Sequence, residues 1–394
     1  MPAALAPAEP AAPRPALRHP GLGHSGLRRR LETWRDDLLA SPRFQHWAAR
    51  FPLTRPLARR RATALFDLCA GFVYAQVLRA CVELDVPEIL AAGPHSAAAL
   101  APRLGLAEAA AQDLLDAAAA LGIARRTRAG LYAPGPLGAA LRGKPGIGAM
   151  VLHHARLYAD LADPVTLLRG GRCDTALAAY WPYAAAAAPA RLDAAAVAPY
   201  SALMAISQPM IAAELLHACD LGRHRAVLDV GGGEGAFLIA AAERHPALRP
   251  ILFDLPAVAA RAAAAFARAG LGGRASCVGG DFRTDALPPG ADLITLIRVL
   301  HDHDDATVAA LLAAARAALP RGGRLLVAEP MRGTRGAERV ADAYFAFYLR
   351  ALGSGRPRSP ARLTAMMQAA GFTRIRERRT AQPMLVRVLS GDVT

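Results

Sequence analysis

The stretch VLDVGGGEG, from Val227 to Gly235, most constrains what this 394-residue chain can fold into. An apolar strand that breaks into glycines lets the backbone come close to a ligand, because the missing Cβ atoms leave room. Such a strand opens the nucleotide-binding unit of a doubly wound α/β sheet. Gly231, Gly233 and Ala236 loosely satisfy the dinucleotide pattern G-x-G-x-x-G/A, which alone is a weak signal. The pattern therefore predicts a cofactor site and leaves the cofactor open.

The chain after these glycines alternates strand and helix patterns, which predicts a parallel sheet covered on both faces. Strands are predicted at Ala226–Val230, Pro250–Phe253, Ser276–Val278, Ala291–Ile297 and Arg324–Ala328. Helices are predicted at Gly235–Arg244, Ala257–Ala269, Asp305–Leu319 and Pro360–Ala370. Two last runs, Arg374–Arg378 and Met384–Leu389, suit an antiparallel edge hairpin because their connection is short. Residues 226–394 are thus predicted to form a seven-stranded, mostly parallel Rossmann-like α/β domain with an antiparallel edge.

Side chains at the next strand ends favour one cofactor over another. Asp254 ends the second strand, where a carboxylate can accept both hydroxyls of a ribose. Asp281 and Phe282 follow the third strand and offer an adenine a carboxylate for its amine and a ring for its face. Glu234 is unfavourable beside a pyrophosphate but compatible with a sulfonium or an ammonium group, so we expect S-adenosylmethionine (SAM) rather than a nicotinamide. The candidate cofactor-binding residues are Asp229, Gly231, Gly233, Asp254, Asp281, Phe282 and Arg298.

A helix, turn, helix and hairpin pattern lies in the first half of the chain. Ser96 can cap a short helix, a second helix follows, and Ile123–Arg126 and Leu131–Ala133 can pair as a hairpin. This order predicts a winged-helix domain over residues 61–150. DNA binding is one possible role, but the candidate recognition helix, Ala107–Leu121, has three acidic residues and no Lys or Arg to contact phosphates. We expect packing or dimerisation and no nucleic-acid partner.

Residues 1–60 are predicted to form a basic arm. The first 61 residues hold twelve arginines against four acidic residues, about half of the formal charge of +15. Residues 1–25, rich in Pro, Ala and Gly, are expected to be disordered. The arm is either a solvated segment or one that contacts an anionic membrane or nucleic acid. Its aromatic residues favour the membrane, since interfacial segments combine Arg with aromatics: Trp34, Phe44, Trp47 and Phe51.

The remaining composition indicates a globular chain kept in the cytoplasm. No apolar run reaches 18 residues, and the N-terminus lacks the order of a signal peptide. The five cysteines are scattered without a C-x-x-C pair and are interpreted as small buried hydrophobic residues: Cys69, Cys81, Cys173, Cys219 and Cys277. Residues 151–225 form a helical connector, with expected breaks at Pro164, Pro182, Pro189 and Pro199.

Four motifs follow the predicted winged helix in a fixed order: LDVGGGEG, FDLP (Phe253–Pro256), GDF (Gly280–Phe282) and RVLHDHDD (Arg298–Asp305). Together they resemble the small-molecule O-methyltransferases typified by the plant caffeate and acetylserotonin enzymes, over about residues 60–390. The resemblance implies a dimerising winged-helix domain, a class I methyltransferase domain that binds SAM, and His301 as catalytic base. It also implies that the connector lines the substrate pocket, with four substrate candidates in such regions: His154, Met204, Met331 and Phe345.

A narrower resemblance covers Ser41–Leu78, which reads SPRFQHWAARFPLTRPLARRRATALFDLCAGFVYAQVL. It is similar to the N-terminal region of the hydroxyneurosporene (demethylspheroidene) O-methyltransferases of bacterial carotenoid synthesis. That similarity implies methylation of the tertiary C-1 hydroxyl of an acyclic carotenoid in the spheroidene and spirilloxanthin pathways. Two alternatives stay open: an O-methyltransferase for a phenolic or polyketide metabolite, and a winged-helix regulator that binds DNA.

His301 lies just past the fourth predicted strand, where an imidazole can accept the proton of a hydroxyl. In the broad family a glutamate from a GKERT-like stretch supports this histidine. Here Gly355–Ser359 reads GRPRS, with proline at the glutamate position, so that partner is absent. Glu329, at the end of the fifth strand, matches the other family glutamate near the base and is the candidate that orients His301, with Asp302 behind it.

The rest of the HDHDD run has plainer interpretations. Asp304 and Asp305 suit the solvated, acidic first turn of a helix. A metal held by His301 and His303 is disfavoured, because methyl transfer from a sulfonium needs no Lewis acid. We therefore predict no metal site.

Overall fold

The structure is a computed structural model that describes residues 26–170, 174–181 and 189–394. The predicted disorder of residues 1–25, the expected break at Pro182 and the environment of Cys173 lie outside the described residues. The chain divides into two compact units, Met1–Ala75 and Gln76–Thr394.

The described part of the first unit is helical. Helices span Gly26–Ala40 and Pro42–Arg50, and the helix Arg55–Glu83 begins here. Ser41 caps the second helix by accepting a hydrogen bond from the backbone N–H of Phe44. Cys69 is exposed, so the interpretation of the cysteines as buried is wrong at this position, because the helix face that carries Cys69 is uncovered. Cys81 and Cys219 are buried, and Cys277 is partly buried.

The predicted helix, helix and hairpin order is present in the second unit. Helices Val86–Ala91, Ala97–Leu104 and Glu108–Ala120 precede strands β1 (Ala124–Arg126) and β2 (Tyr132–Pro134). β1 and β2 pair antiparallel. Leu100, Leu115 and Tyr132 form a buried core between these elements. Ser96 caps the second of these helices, as predicted.

Helices follow this hairpin and lead to the sheet. The described helices are Pro136–Arg142, Pro145–Asp160, Pro164–Leu168, Ala176–Tyr180 and Ala194–Ala218, with a 3₁₀ turn at Pro189–Arg191. Pro164 does begin a helix, but the expected break at Pro199 is wrong, since this residue lies inside the helix Ala194–Ala218. Buried side chains such as Val197 and Leu203 hold this helix in place, so packing outweighs the missing N–H of the proline.

Two described helices, Arg55–Glu83 and Ala194–Ala218, are long and apolar enough to cross a membrane by length and composition. This is weak evidence for a span, because the core helix of a folded domain passes the same test. Ala194–Ala218 packs against the helix Ala236–Arg244, which covers the sheet. Arg55–Glu83 carries exposed Phe66, Leu68 and Phe72.

The C-terminal part is a seven-stranded sheet in the order β5-β4-β3-β6-β7-β9-β8. The strands are β3 (Ala226–Val230), β4 (Arg249–Asp254), β5 (Ser276–Gly279), β6 (Leu293–Ile297), β7 (Arg324–Glu329), β8 (Thr373–Arg378) and β9 (Arg387–Asp392). The first five are parallel, and β9 is antiparallel to β7 and β8. The last strand begins later than predicted, at Arg387, because its pairing with β7 starts opposite Glu329.

Helices pack on both faces of this sheet. They are Ala236–Arg244, Pro256–Arg268, Asp305–Ala318, Ala346–Leu352 and Pro360–Ala369, with a π-helical segment at Arg339–Phe345. Val227 and Leu252 face one core, and Leu228 and Val230 face the other. The strands are therefore buried on both sides, and the carboxyl ends of β3, β4, β6 and β7 present their next residues side by side.

Candidate active site

A cleft opens at the carboxyl ends of β3, β4, β5 and β6, and its lining surrounds about 1030 Å³ of space that includes open solvent. Seven of its lining residues come from strand ends: Gly231, Gly233, Asp254, Asp281, Phe282, Arg298 and His303. The helix Ala194–Ala218 closes one side through residues that include Met204. Six of the seven predicted cofactor-binding residues line this one cleft.

The glycine loop after β3 brings bare backbone to the cleft. Gly231, Gly233 and Gly235 all have positive φ, at 69°, 59° and 79°. A Cβ at Gly231 would lie 2.7 Å from Val299, and one at Gly235 would lie 2.5 Å from Phe266. At Gly233 a Cβ would meet nothing within 4 Å, so this residue faces the open cleft. The loop thus needs glycine for its turn at all three positions and for ligand approach at Gly233.

Two carboxylates lie next to this loop. Asp254 accepts hydrogen bonds from the N–H of Gly233 at 2.8 Å and from the N–H of Leu255 at 2.7 Å. Asp229, fully buried, accepts one from the Thr295 hydroxyl at 2.6 Å through Oδ1. Its Oδ2 has no hydrogen-bond partner among the described residues. Burial raises the pKa of Asp229 to about 7 and that of Asp254 to about 6.

Beyond β5, Asp281 and Phe282 reach the cleft with partners that the sequence did not predict. Arg283 donates to Asp281 from Nη2 at 2.7 Å and from Nε at 3.0 Å. Burial would raise the pKa of Asp281, but the hydrogen bonds and charge of Arg283 lower it below its usual value. The Phe282 ring meets His303 edge-on at 5.2 Å. Asp281 therefore stays ionised beside its arginine.

The ends of β6 and β7 bring His301 and Glu329 together. The two strands are parallel neighbours, and a 3₁₀ turn, Leu300–Asp302, follows β6. Glu329 accepts hydrogen bonds from the backbone N–H groups of Val299 at 3.0 Å and Leu300 at 2.7 Å through Oε1. Its Oε2 is hydrogen-bonded to Nδ1 of His301. Both side chains are buried, so this carboxylate fixes the ring through its Nδ1 edge.

Asp302 lies on the other side of the ring. Its Oδ1 is 3.3 Å from Nε2 of His301, so Asp302 and Glu329 face opposite edges of the imidazole. The tight turn after β6 carries the next side chain to the opposite edge of the imidazole. Burial would lower the pKa of His301, but the charges of Asp302 and Glu329 outweigh it and raise this pKa above its usual value. Burial raises the pKa of Asp302 to about 6.

The backbone of Arg298, which precedes the His301 turn, has an unusual positive φ of 58°. Its Nη1 donates to the Ser207 hydroxyl at 3.0 Å, and its Nη2 lies 3.3 Å from the sulfur of Met204. A left-handed non-glycine residue costs of order 1–3 kcal/mol and points to a functional constraint. The structure thus places a predicted cofactor residue against a predicted substrate residue.

The other substrate candidates divide between the site and the core. Phe345 meets the His301 ring edge-on at 5.7 Å. His154 is hydrogen-bonded through Nε2 to the Tyr344 hydroxyl at 2.8 Å, within an aromatic cluster beside Phe345. Met331 is buried in the hydrophobic core under the sheet rather than at the cleft.

Sequence reasoning missed two tyrosines of this region. Tyr348 is buried and hydrogen-bonded to Nε2 of His153 at 3.0 Å, as Tyr344 is to His154. The two tyrosines stand four residues apart and face two adjacent histidines on another helix. That spacing on one helix face was a signal that could have found them.

Comparison with known protein families agrees with this fold and site. Residues 158–373 match the family model of the O-methyltransferase domain, which is more than half of the chain. The chain belongs to the O-methyltransferase family. Residues 66–143 of the enzyme match the O-methyltransferase dimerisation domain, which agrees with the role predicted for the winged helix and supports a homodimer.

Individual relatives are similar over most of the enzyme. The demethylspheroidene O-methyltransferase of Cereibacter sphaeroides is 46% identical over 339 residues, covering 86% of this chain and 89% of that protein. The one from Rhodobacter capsulatus is 44% identical over 352 residues, covering 89% and 87%. A solved methyltransferase of calicheamicin biosynthesis, in its SAH-bound form, has a TM-score of 0.71 at 28% identity, covering 85% of this chain and 98% of that one. The predicted family and fold class are confirmed.

The residues of the enzyme's cleft fit SAM. The carboxyl groups of Asp254 and Asp229 lie beside the glycine loop, and one oxygen of Asp229 has no partner among the described residues, which suits a cationic ligand and opposes a pyrophosphate. Glu234 contributes less to this charge than expected, because Arg261 donates to it at 2.8 Å. Gly233 leaves space at the backbone for the bound molecule. Asp254 and Asp281 lie at successive strand ends, as the predicted ribose and adenine contacts require.

One interpretation of the run after His301 needs correction. Asp304 caps the helix Asp305–Ala318 through the N–H of Thr307 and is exposed, as interpreted. Asp305 is not simply solvated, because it forms ion pairs with Arg356, Arg358 and Arg362. These arginines come from a segment more than fifty residues later, which the local pattern could not reveal.

Proposed function

We propose that this enzyme transfers the methyl group of SAM to the tertiary C-1 hydroxyl of hydroxylated acyclic carotenoids of the hydroxyneurosporene and demethylspheroidene type. It is a SAM-dependent O-methyltransferase. The observation that carries the proposal is the buried His301–Glu329 pair, next to the cleft-lining residues Asp302 and His303, which supplies a base for a hydroxyl. The carotenoid class is supported by the two demethylspheroidene O-methyltransferases, at 46% and 44% identity.

Bound SAM supplies an activated methyl group on a sulfonium, and the protein aligns the acceptor oxygen and handles its proton. His301 is oriented by Glu329 through Nδ1, and its Nε2, which lies 3.3 Å from Oδ1 of Asp302, is the nitrogen that we propose accepts the hydroxyl proton. The pKa of an aliphatic alcohol is close to that of water and lies far above that of a histidine, even one whose pKa is raised as in His301. Full deprotonation beforehand is therefore strongly unfavourable, and we infer that the proton leaves as the methyl arrives.

The imidazolium formed in this step is stabilised on both edges of the ring. Glu329 faces Nδ1, and Asp302 lies 3.3 Å from Nε2. Both carboxyl groups are buried, where their charge acts strongly on the ring. We propose this pair of carboxyl groups as the substitute for the glutamate that Pro357 replaces.

Aromatic residues around His301 give the acceptor an apolar approach. Phe345 contacts the His301 ring, and Tyr344 and Tyr348 pack beside it. Each tyrosine hydroxyl is occupied by a histidine nitrogen, which leaves ring faces and edges as the contact surface. This surface suits a polyene end group better than a polar metabolite.

The deciding experiment offers purified enzyme labelled SAM together with a detergent-dispersed 1-hydroxy acyclic carotenoid, beside a panel of phenols. We expect label in the carotenoid. Label confined to the phenols would assign the enzyme to phenolic metabolites instead. Label in neither would contradict the transfer reaction, and DNA binding by the winged-helix domain would then be measured.

We also propose that the basic arm brings the cytoplasmic enzyme to an anionic membrane surface, where a carotenoid resides. Trp34 and Trp47 have 64% and 50% of their surface exposed, and Leu53 has 84%. The arginines Arg28, Arg29 and Arg30 are exposed on the same helical arm. Exposed aromatic and apolar side chains beside arginines are typical of segments that lie at a lipid interface.

Vesicle sedimentation tests this proposal. Arg28, Arg29 and Arg30 changed together to Gln should weaken binding to anionic vesicles, and binding should also fall with added salt. The matched control changes three exposed arginines elsewhere, Arg125, Arg128 and Arg268, and should bind as wild type does. Equal binding by both variants would contradict a specific role of the arm.

A further inference from the structure

The segment Gly355–Ser359, in which the family glutamate is missing, lies against the backbone of the His301 turn. The N–H of Arg356 donates to the carbonyl oxygen of His301 at 2.8 Å. Gly355 has a φ of 75°, and a Cβ there would collide with that same carbonyl oxygen and lie 2.7 Å from Cα of Asp302. The segment can approach the turn this closely only because position 355 is glycine.

Arg358 makes the strongest contacts of this segment. Its side chain is buried, with the residue 5% exposed. Nη1 donates to the carbonyl of Leu300 at 2.6 Å, and Nη2 donates to the carbonyl of His303 at 2.7 Å. These two carbonyls bracket His301 in the chain. One planar guanidinium therefore fixes the backbone on both sides of the base.

The same residue also reaches the loop that follows Glu329. The N–H of Arg332, three residues beyond this glutamate, donates to the carbonyl oxygen of Arg358 at 3.0 Å. Arg358 therefore contacts both the turn that carries His301 and the loop after β7. Their relative position decides whether the His301 ring meets the Glu329 carboxylate.

Neutralising the charge of Asp305 does not explain why Arg358 lies buried against the His301 turn. Nε of Arg358 does contact Asp305 at 2.8 Å. However, Arg356 and Arg362 also pair with Asp305, at 2.7 Å and 2.9 Å, and their side chains are more than half exposed. Of these three arginines, only Arg358 has its side chain bound to the carbonyls of the His301 turn.

We propose that Arg358 is a positioning residue for methyl transfer, which holds the Leu300–His303 backbone so that His301 stays hydrogen-bonded to Glu329 with Nε2 directed to its acceptor. This inference rests on the proposed role of His301 as base. The GRPRS segment, in which proline replaces the family glutamate, thus stabilises the base by holding its backbone in place. The support acts through backbone carbonyls, so it needs the paired donors of a guanidinium and not merely a cation.

The test compares Arg358→Met and Arg358→Lys with the controls Arg356→Gln and Arg362→Gln. Each control removes one cation from Asp305 and keeps the side-chain bonds to the two carbonyls. We expect kcat to fall at least about tenfold in Arg358→Met, with SAM affinity within about twofold of wild type. Arg358→Lys should recover part of kcat, because an ammonium can still reach one carbonyl. Both controls should keep near wild-type kcat.

A second readout follows the His301–Glu329 bond without turnover. A proton held between a buried imidazole nitrogen and a carboxylate gives a low-field NMR signal, and Glu329→Gln assigns it. We expect this signal to be lost or shifted in Arg358→Met and unchanged in both controls. An unchanged signal with normal kcat would overturn the proposal, as would equal losses in Arg358→Met and the controls. Retained turnover in His301→Ala would instead refute the base role, while the NMR comparison would still report on positioning.

Discussion

Glu329 binds both the ring of His301 and the backbone that leads to it. Oε2 is hydrogen-bonded to Nδ1, and Oε1 accepts the N–H groups of Val299 and Leu300. One buried carboxylate therefore orients the base and shapes the turn that carries it. This arrangement separates two roles of Glu329, its charge and its hydrogen-bonding geometry, which a single substitution can distinguish.

Glu329→Gln should keep the turn but remove the charge that stabilises the imidazolium. General base catalysis contributes about 10²–10⁴-fold, and we expect kcat to fall by about 100-fold in this variant. SAM affinity, measured by calorimetry, should change little, because Glu329 does not line the cleft. His301→Ala should lose more activity than Glu329→Gln. A Glu329→Gln enzyme with wild-type kcat would contradict the orienting role.

The pH dependence of kcat should report the carboxyl groups around His301. Burial lowers the pKa of His301, but Asp302 and Glu329 raise it overall, and the base must be neutral to accept a proton. Turnover should therefore fall as the pH drops through this raised pKa. Asp302→Asn removes one negative charge, which lowers the pKa of His301 and shifts the acid limb to lower pH. The control Asp304→Asn alters an exposed helix cap and should leave the limb in place. A limb that moves to higher pH would contradict the assignment.

Much of the fold was predictable because its signals are local. The glycine loop ends β3 where predicted, and β3 itself has the predicted bounds, since an apolar run followed by glycines allows one register. Asp254, Asp281 and Arg298 reach one cleft because the carboxyl ends of parallel strands meet at one edge. The position of β9 between β7 and β8 depends on long-range pairing, so the sequence predicted the antiparallel edge better than its bounds.

Contacts between distant segments could not be predicted. Arg358 lies more than fifty residues after Leu300 and His303, and no local periodicity links them. The same distance hid the ion pairs of Asp305, which local pattern assigned to solvent. The absent family glutamate was visible at Pro357, but what the altered segment does became clear only from its packing on the His301 turn.

Asp229→Asn should stabilise the SAM-free enzyme in a pH-dependent way. Burial raises the pKa of Asp229 from its usual 3.8 to about 7, so the protonated form contributes stability that is lost as the pH rises through this window. Asparagine is neutral throughout, and the variant should gain up to about 3 kcal/mol in free energy of unfolding at pH 8 relative to pH 5. Urea unfolding at the two pH values measures this difference.

Asp292→Asn is a control for that measurement, because the pKa of Asp292 is shifted in the opposite direction. Asp292 accepts hydrogen bonds from the N–H groups of Arg225 and Ala226. Burial would raise its pKa, but these bonds and His224 lower it, so its contribution is present above the usual pKa and lost only at more acidic pH. Its substitution should cost similar stability at pH 5 and pH 8. A pH-independent effect of Asp229→Asn would show that this carboxyl is ionised in the folded enzyme.

Gly233→Ala and Gly270→Ala should separate backbone strain from ligand approach. Both glycines have positive φ, at 59° and 71°, and at both a Cβ would meet nothing within 4 Å. Each substitution should therefore cost about 1–2 kcal/mol of stability for the left-handed conformation. Gly233 faces the cleft, whereas Gly270 follows the helix Pro256–Arg268 on the surface. Only Gly233→Ala should weaken SAM binding, by about tenfold or more, because its methyl group occupies the space that the cofactor needs. Equal SAM affinity in the two variants, at equal loss of stability, would mean that the cofactor does not approach the backbone at Gly233.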